Sequence, residues 1–427
     1  MTKKQITKDF ISFLSDSPTQ FQAVETMRRI LDNNNFTQLE EQDSWKLKKN
    51  GSYYCIRGGS AIVAFKMGKN SQPSIGIRMV GAHTDSPGLK IKSKPETRFK
   101  DYLSLGVEVY GSPILSTWFD RDLSIAGRVT YSTSRKKLAT ALIDFRDPIA
   151  KIPNLAIHLT QNRNEKVPIN AQTELPPIIL QEKKGKTDFK GLLKKQLKKF
   201  SPKLSVNEIL GTDLWLYDVQ KPAQVGLNGE FITGARLDNL LSCFAGVSSL
   251  VESKNKSTAI LVCNDNEEVG SNSFTGAAGP FLASVLERLY PDKEEYHRLI
   301  SNSILISADN GHGIHPNYRS LHDDNHGPIL NQGPIIKINA NQRYATNSET
   351  GAFFRNVCQQ AKVPVQDFIN RSDLACGTTI GPLTATALGI KTLDIGVAQF
   401  AMHSIRETCG ADDIWYMVKA LKECYQS

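Results

Sequence analysis

Four strand-like apolar runs, SIGIRMV, STAILVC, SILISA and LDIGVA, are each followed closely by a polar segment carrying imidazole or carboxylate groups. Apolar runs of this length, alternating with helical patterns, read as buried strands of a largely parallel sheet. Such a sheet binds its ligands in the crevice beyond the carboxyl ends of its strands. Five segments should therefore meet at one edge: His83 and Asp85 in GAHTDSPG, Asp238 in GARLDN, Glu267 and Glu268 in NDNEEVGS, Asp309 in SADNGHG, and His403 in AMHSIRE. Imidazoles and carboxylates brought together this way are the ligand set of a hydrolytic zinc or manganese site.

The rest of the chain sorts around that sheet. Ser17-Pro18-Thr19-Gln20 offers an N-cap serine, a proline at the first helical position and a capping-box glutamine before FQAVETMRRILDN. Tyr53 to Phe65 and Ser74 to Val80 read as strands around the turn-rich GKNSQPS. From about Lys90 to Phe231, short alternating runs (GVEVYG, AGRVTYS, AIHLT) are broken by Gly, Pro and Asn, the mark of a β-rich insertion. Helix and strand alternation resumes at Gly234, with a helix expected near Thr350 to Ala361, and closes on the amphipathic DDIWYMVKALKECY. The expectation is an α/β domain over 1–90 and 234–427, with a mixed or mostly parallel sheet flanked by helices, and a β-rich domain inserted over 91–233.

Composition excludes several classes. The 427 residues suffice for two or three domains, and 40% hydrophobic with 22% charged residues is ordinary for a soluble protein. No apolar stretch reaches the roughly 18 residues a membrane span needs. The start, MTKKQITKDFISFL, lacks the apolar region and cleavage site of a signal peptide. Seven scattered cysteines without a CxxC pair point to reduced thiols and a cytoplasmic setting, with Cys243 and Cys263 as small core residues.

The net charge of +9 is concentrated in residues 181–203, where nine Lys face only Glu182 and Asp188. Phe189, Leu192, Leu193, Leu197 and Phe200 fall on one helical face there. Such a helix either lies on a polyanion or membrane surface, or packs its stripe on its own domain or a neighbouring subunit. With no interleaved stacking aromatics and no nucleic-acid module, the second reading is preferred. Neither nucleic acid nor membrane is expected as a partner.

Read singly, each candidate has an ordinary explanation: Asp238 an N-cap, Asp309 an Asx turn, His403 a core histidine, the Glu pair a solvated loop. Together they suit metal chemistry. His83 and Asp85, one residue apart on an extended segment, face the same side, so the carboxylate can hold the imidazole's other nitrogen. Adjacent Glu267 and Glu268 repel each other unless cations are near. One can bind metal while the other acts as general base. Asp238 suits a carboxylate bridging two metals about 4 Å apart. Asp238, Glu268 and Asp309 carry three negative charges against the four of two divalent ions, which limits the cost of burying them.

GAHTDSPGLK, TWFDRDLSIAGRV, IPNLAIHL, RLDNL, DNEEVGS, SAD followed by HPNY, NANQRYATN, CGTTIGP and AMHSIRE occur in this order over nearly the whole chain. In them the chain resembles the aspartyl aminopeptidases, di-zinc enzymes that assemble as tetrahedral dodecamers. The resemblance implies one metal on His83, Asp238 and Asp309, and a second on Asp238, Glu268 and His403. Glu267 becomes the general base, with Asp85 supporting His83. It also implies substrate contacts from His158, His312, Lys337 and Tyr344, with His158 reaching a neighbouring subunit's site and the inserted domain building the oligomer from dimers. The implied reaction removes an N-terminal residue, Asp or Glu by preference, from peptides. A water activated between two metals, most often zinc with cobalt or manganese as substitutes, would attack the peptide bond, and Lys337 would pair with the acidic side chain. Asn310-Gly311 stands where relatives often carry Met-Ala. Three rivals remain: the same chemistry on neutral N-termini, a non-catalytic scaffold, and a nucleic-acid binder resting on the lysine segment alone.

Overall fold

The computed structural model describes residues 2–69, 72–134, 136–159, 165, 168–183, 185–254 and 256–427. Asn70 and Ser71 of the expected GKNSQPS turn, and Lys184 of the basic segment, lie outside them. The chain divides into two compact units: Met1–Asp85, Pro222–Met402 and Glu407–Ser427 form the first, Ser86–Lys221 and His403–Arg406 the second.

The first unit is built on a nine-stranded mixed sheet. Four central strands run parallel, in the order Ala259–Asn264, Arg78–His83, Ile304–Ala308 and Lys391–Gly396. Ala61–Lys66 joins one side and Ile335–Lys337 the other, both antiparallel. All six residues of Ala259–Asn264 and all five of Ile304–Ala308 are buried, the continuous apolar character of strands covered on both faces. On one face pack the helices Lys3–Ser15, Gln20–Asn33, Leu237–Glu252, Ser348–Ala361 and Asp413–Gln426, around residues such as Phe10, Met27, Phe244, Phe354 and Met417. The other face is covered by Phe281–Leu289 and Lys293–Ser301 through Phe281, Leu286 and Leu299. A smaller five-stranded sheet contains Phe231–Gly234, Glu407–Gly410, Ala398–Phe400 and Gly311–His312.

One local expectation is corrected and one element is added. The second helix is capped at Thr19 rather than Ser17, and the Thr19 hydroxyl bonds the Gln22 side chain instead of a backbone N–H. An additional helix, Lys3–Ser15, precedes it, burying Ile6, Phe10, Phe13 and Leu14 at i, i+4, i+7, i+8 spacing.

The second unit is a six-stranded antiparallel sheet in the order Leu138–Asp144, Leu123–Ser132, Glu208–Asp218, Gly88–Phe99, Tyr102–Tyr110 and Ile178–Gln181. The basic segment forms the helix Phe189–Phe200, started by Asp188, whose carboxylate accepts the Gly191 N–H at 2.6 Å. Phe189, Leu193 and Leu197 join this unit's own core, while Lys190, Lys195, Lys198 and Lys199 are exposed. The apolar stripe thus packs on its own unit except at Phe200, which is exposed. The AIHL run, expected as a strand, is a 3-10 turn over Ile157–Leu159. No helix among the described residues is long and apolar enough to cross a membrane.

Candidate metal centre

His83 ends its strand, Glu267 and Glu268 follow Ala259–Asn264 after two residues, and Asp309 follows Ile304–Ala308 directly. Three adjacent parallel strands therefore deliver their polar ends to one point. Asp238 arrives from the start of the helix Leu237–Glu252, with its own φ and ψ non-helical. His83, Asp238 and Glu268 place one potential ligand atom each within 4.8 Å of one another.

His83 is 1% exposed, and its ring sets the electrostatics. Nδ1 lies 3.1 Å from the Asp85 carbonyl oxygen, an arrangement that puts the proton on Nδ1 and the lone pair on Nε2. Nε2 faces Asp309 Oδ1 at 3.4 Å, Asp238 Oδ1 at 3.5 Å and Glu267 Oε2 at 4.0 Å. A lone pair aimed at carboxylate oxygens is repulsive unless a cation lies among them or the ring takes a second proton. Burial favours neutral His83, yet the carboxylates of Asp238, Asp309 and Asp85 hold its pKa well above the usual imidazole value. Burial, followed by Asp309, Asp85 and Asp238 and opposed by His83, pushes Glu267 up to about 8. Burial and then Asp238 raise Glu268 well above the ordinary carboxylate range. This crowd of acids around one imidazole is short of positive charge, and its oxygen and nitrogen donors fit divalent zinc.

The Asp85 carboxylate does more than face His83 at 3.4 Å. Oδ1 accepts the Glu267 N–H and Oδ2 the Glu268 N–H, each at 3.1 Å, so it fastens the turn that carries both glutamates. Cys243, buried as expected of a core thiol, donates to the His83 carbonyl at 3.0 Å.

Lys337 is 2% exposed, and its Nζ bonds Asp309 Oδ2 at 3.0 Å and lies 5.2 Å from the Tyr344 ring centre. Its ammonium thus has a carboxylate partner within the protein. The His312 ring reaches solvent, 4.7 Å from Phe368 and 5.4 Å from His322. Crowding by the protein, then His322 and Lys337, holds its pKa below the usual value. A cavity of about 60 Å³ opens beside it, lined by His322, Phe368, Asn370 and Arg371.

Two candidates fall in the second unit. His403, at φ 66°, has Nδ1 3.1 Å from the Ser112 carbonyl oxygen, which again puts the proton on Nδ1 and the lone pair on Nε2. His158 is exposed, flanked by exposed Leu155, Ile157 and Leu159.

Sequence reasoning singled out Asn310 only as a departure from relatives and missed its two polar partners beside the candidate ligands, Gln399 and Glu407. The Asp238 N–H donates to Glu407 Oε2 at 3.0 Å, Gln399 Nε2 to Glu407 Oε1 at 3.4 Å, and Asn310 Nδ2 to Gln399 Oε1 at 3.1 Å and to the Leu237 carbonyl at 2.9 Å. The available signals were Gln399, a polar residue inside the apolar run VAQFAM, and Glu407, the last residue of AMHSIRE.

Residues 13–425 match the family model described as aminopeptidase I zinc metalloprotease (M18). The chain belongs to this family. It is accordingly a metallo-aminopeptidase of a zinc-dependent lineage. It is 53% identical over 426 residues to a probable M18 family aminopeptidase 2 of Pseudomonas syringae pv. syringae, covering 100% of this chain and 99% of that protein. Among solved structures it resembles a chain of the Ape4 and Nbr1 complex, with a TM-score of 0.95 at 36% identity, covering 99% of this chain and 86% of that one. The S. cerevisiae mApe1 dodecamer superposes with a TM-score of 0.84 at 29% identity, covering 98% and 96%.

Proposed function

We propose that this M18 aminopeptidase takes two divalent cations and removes N-terminal Asp or Glu from peptides, with Glu267 as general base. His83, Asp238 and Asp309 would hold one cation; Asp238, Glu268 and His403 the other. When bound, the cations supply Lewis-acid polarisation of the scissile carbonyl and lower the pKa of water. Glu267 takes the proton of the attacking water and hands it to the leaving amine, a role that needs a carboxylate near neutral pKa within a fixed turn. Asp85 holds that turn by its two backbone N–H bonds. The observation that carries the reading is the convergence of His83 Nε2 with Asp238, Asp309 and Glu267 at the carboxyl ends of parallel strands.

His312, Lys337 and Tyr344 are the proposed substrate contacts. The bond from Lys337 to Asp309 favours a second reading, in which neutral N-termini are also good substrates, because an acidic side chain must share an ammonium already engaged. Assembly is part of the proposal: His158, on a turn with three exposed apolar side chains, would serve a neighbouring copy in a dodecamer built from dimers.

The test combines chelation, bound-metal analysis and Asp-, Glu- and Leu-anilides. Activity should vanish with chelator and return with zinc at two ions per chain, with Asp cleaved fastest. Glu267→Gln should keep the metal and lose turnover. One ion per chain, or a near-normal rate in Glu267→Gln, refutes the mechanism.

A further inference from the structure

We infer that Glu407, acting through Gln399 and Asn310, is a positioning residue that fixes the spacing of Asp238 and Asp309 and thereby sets the affinity of the site for zinc. The inference rests on reading those two aspartates as metal ligands.

The hydrogen bonds form a ring. Asp238 N–H donates to Glu407, Gln399 donates to Glu407, Asn310 donates to Gln399 and to the carbonyl of Leu237, which is bonded to Asp238. Asn310 Oδ1 also faces the Val397 N–H at 3.4 Å. The corners come from four separate segments: the start of Leu237–Glu252, the turn after Ile304–Ala308, and the strands Ala398–Phe400 and Glu407–Gly410. Asp238 and Asp309 sit on two of these corners, each next to or within a ring residue. Asn310, Gln399 and Glu407 are each 2% exposed or less, so water cannot substitute for a lost partner.

The polarity of the ring makes Glu407 its key. Two donors, the Asp238 N–H and the Gln399 NH2, end on its carboxylate, which accepts at both oxygens, something an amide cannot do. If Glu407 becomes Gln, its NH2 must confront either the Asp238 N–H or the Gln399 NH2. Flipping Gln399 moves the conflict to Asn310, and flipping Asn310 abandons the Leu237 carbonyl. Within the small sheet, Glu407 pairs with Gly234 through backbone groups, which leaves its side chain to the ring. A buried carboxylate is seldom retained for stability alone, because an apolar side chain of similar volume serves as well. Groups that hold a ligand in place typically change metal affinity about ten- to a hundredfold when mutated.

The experiment titrates zinc into the metal-free full-length protein against a chromogenic chelator, for wild type, Glu407→Gln and Gln399→Met, and follows the melting temperature of each metal-free form. Cobalt-substituted protein gives a visible spectrum that reports ligand geometry. The expected result is a ten- to hundredfold weaker zinc affinity and a shifted cobalt spectrum in both variants, with kcat recovered at saturating zinc. Wild-type zinc affinity in a folded variant, with only the melting temperature lowered, overturns the inference by making the ring structural. Should Glu407→Gln fail to fold, Gln399→Met decides on the same terms. A wild-type protein that takes up no zinc, or takes it up equally well as Asp238→Ala, instead refutes the metal-centre reading itself.

Discussion

Asp85→Asn isolates the part of catalysis that depends on where Glu267 stands. The carboxylate accepts one backbone N–H from Glu267 and one from Glu268, both at 3.1 Å, and it is 1% exposed. Asparagine keeps one oxygen for one N–H and turns an NH2 toward the other. One charge-assisted hydrogen bond is lost, worth roughly 1.5–3 kcal/mol, and the turn must shift to separate two donors. If that energy is spent in aligning Glu267 for proton transfer, it appears as a loss of about ten- to a hundredfold in kcat at 1.36 kcal/mol per decade. KM should change less than about threefold, because proton transfer is felt in the transition state and not in substrate binding. The assay is steady-state hydrolysis of an Asp-anilide at saturating zinc, with metal counted on the same sample. Wild-type kcat with the metal in place would refute the role assigned to Asp85. A loss that excess zinc fully reverses would show that Asp85 acts on metal retention instead.

His158→Ala should lower activity with metal content unchanged, and mixing it with Glu267→Gln under subunit exchange should restore some turnover; a fully active monomer by sedimentation contradicts this. Lys337→Met leaves buried Asp309 without its ammonium, so all substrates should suffer, but the ratio of kcat/KM for Asp over Leu should fall a further ten- to a hundredfold. An unchanged ratio removes Lys337 from specificity. In the basic helix, Leu193→Ala should cost about 2–5 kcal/mol by denaturant unfolding, while Lys198→Gln should stay within about 0.5 kcal/mol. The reverse order would mean that the lysine face, not the apolar stripe, anchors the segment.

The sheet and the placement of the candidate site could be read from the sequence because both follow local rules. Buried parallel strands announce themselves as unbroken apolar runs, and the chain must turn where they end, which located His83, Glu267, Glu268 and Asp309 together. Other features depend on pairings across the sequence. Asp85 was placed on the face of His83 by period-two spacing, but its bonds to Glu267 and Glu268 join positions far apart along the chain. The ring through Asn310, Gln399 and Glu407 exists only because the small sheet sets Ala398–Phe400 between Gly311–His312 and Glu407–Gly410. The helix Lys3–Ser15 is less legible for a different reason: the lysines at its start also suit the basic flank of an export signal. The Ser17-Pro18 pair resembles a helix start as closely as Thr19 does, which places the expected cap two residues early.

The order of strands in the large sheet also governs how the molecule comes into being on the ribosome. Arg78–His83 is synthesised early, yet its two neighbours in the sheet begin at Ala259 and Ile304. At roughly 5–20 residues per second, the nascent strand bearing His83 waits on the order of ten seconds or more for either of them. Meanwhile the compact unit over Ser86–Lys221 emerges with nearly all of its sequence in one piece and can condense first. Throughout that interval the hairpin of Ser52–Arg57 and Ala61–Lys66 and the strand Arg78–His83 offer unpaired edges and apolar faces to their surroundings. A newly made chain of this topology is therefore a natural client for a holding chaperone, and slowing translation beyond residue 221 should raise its aggregation rather than its yield.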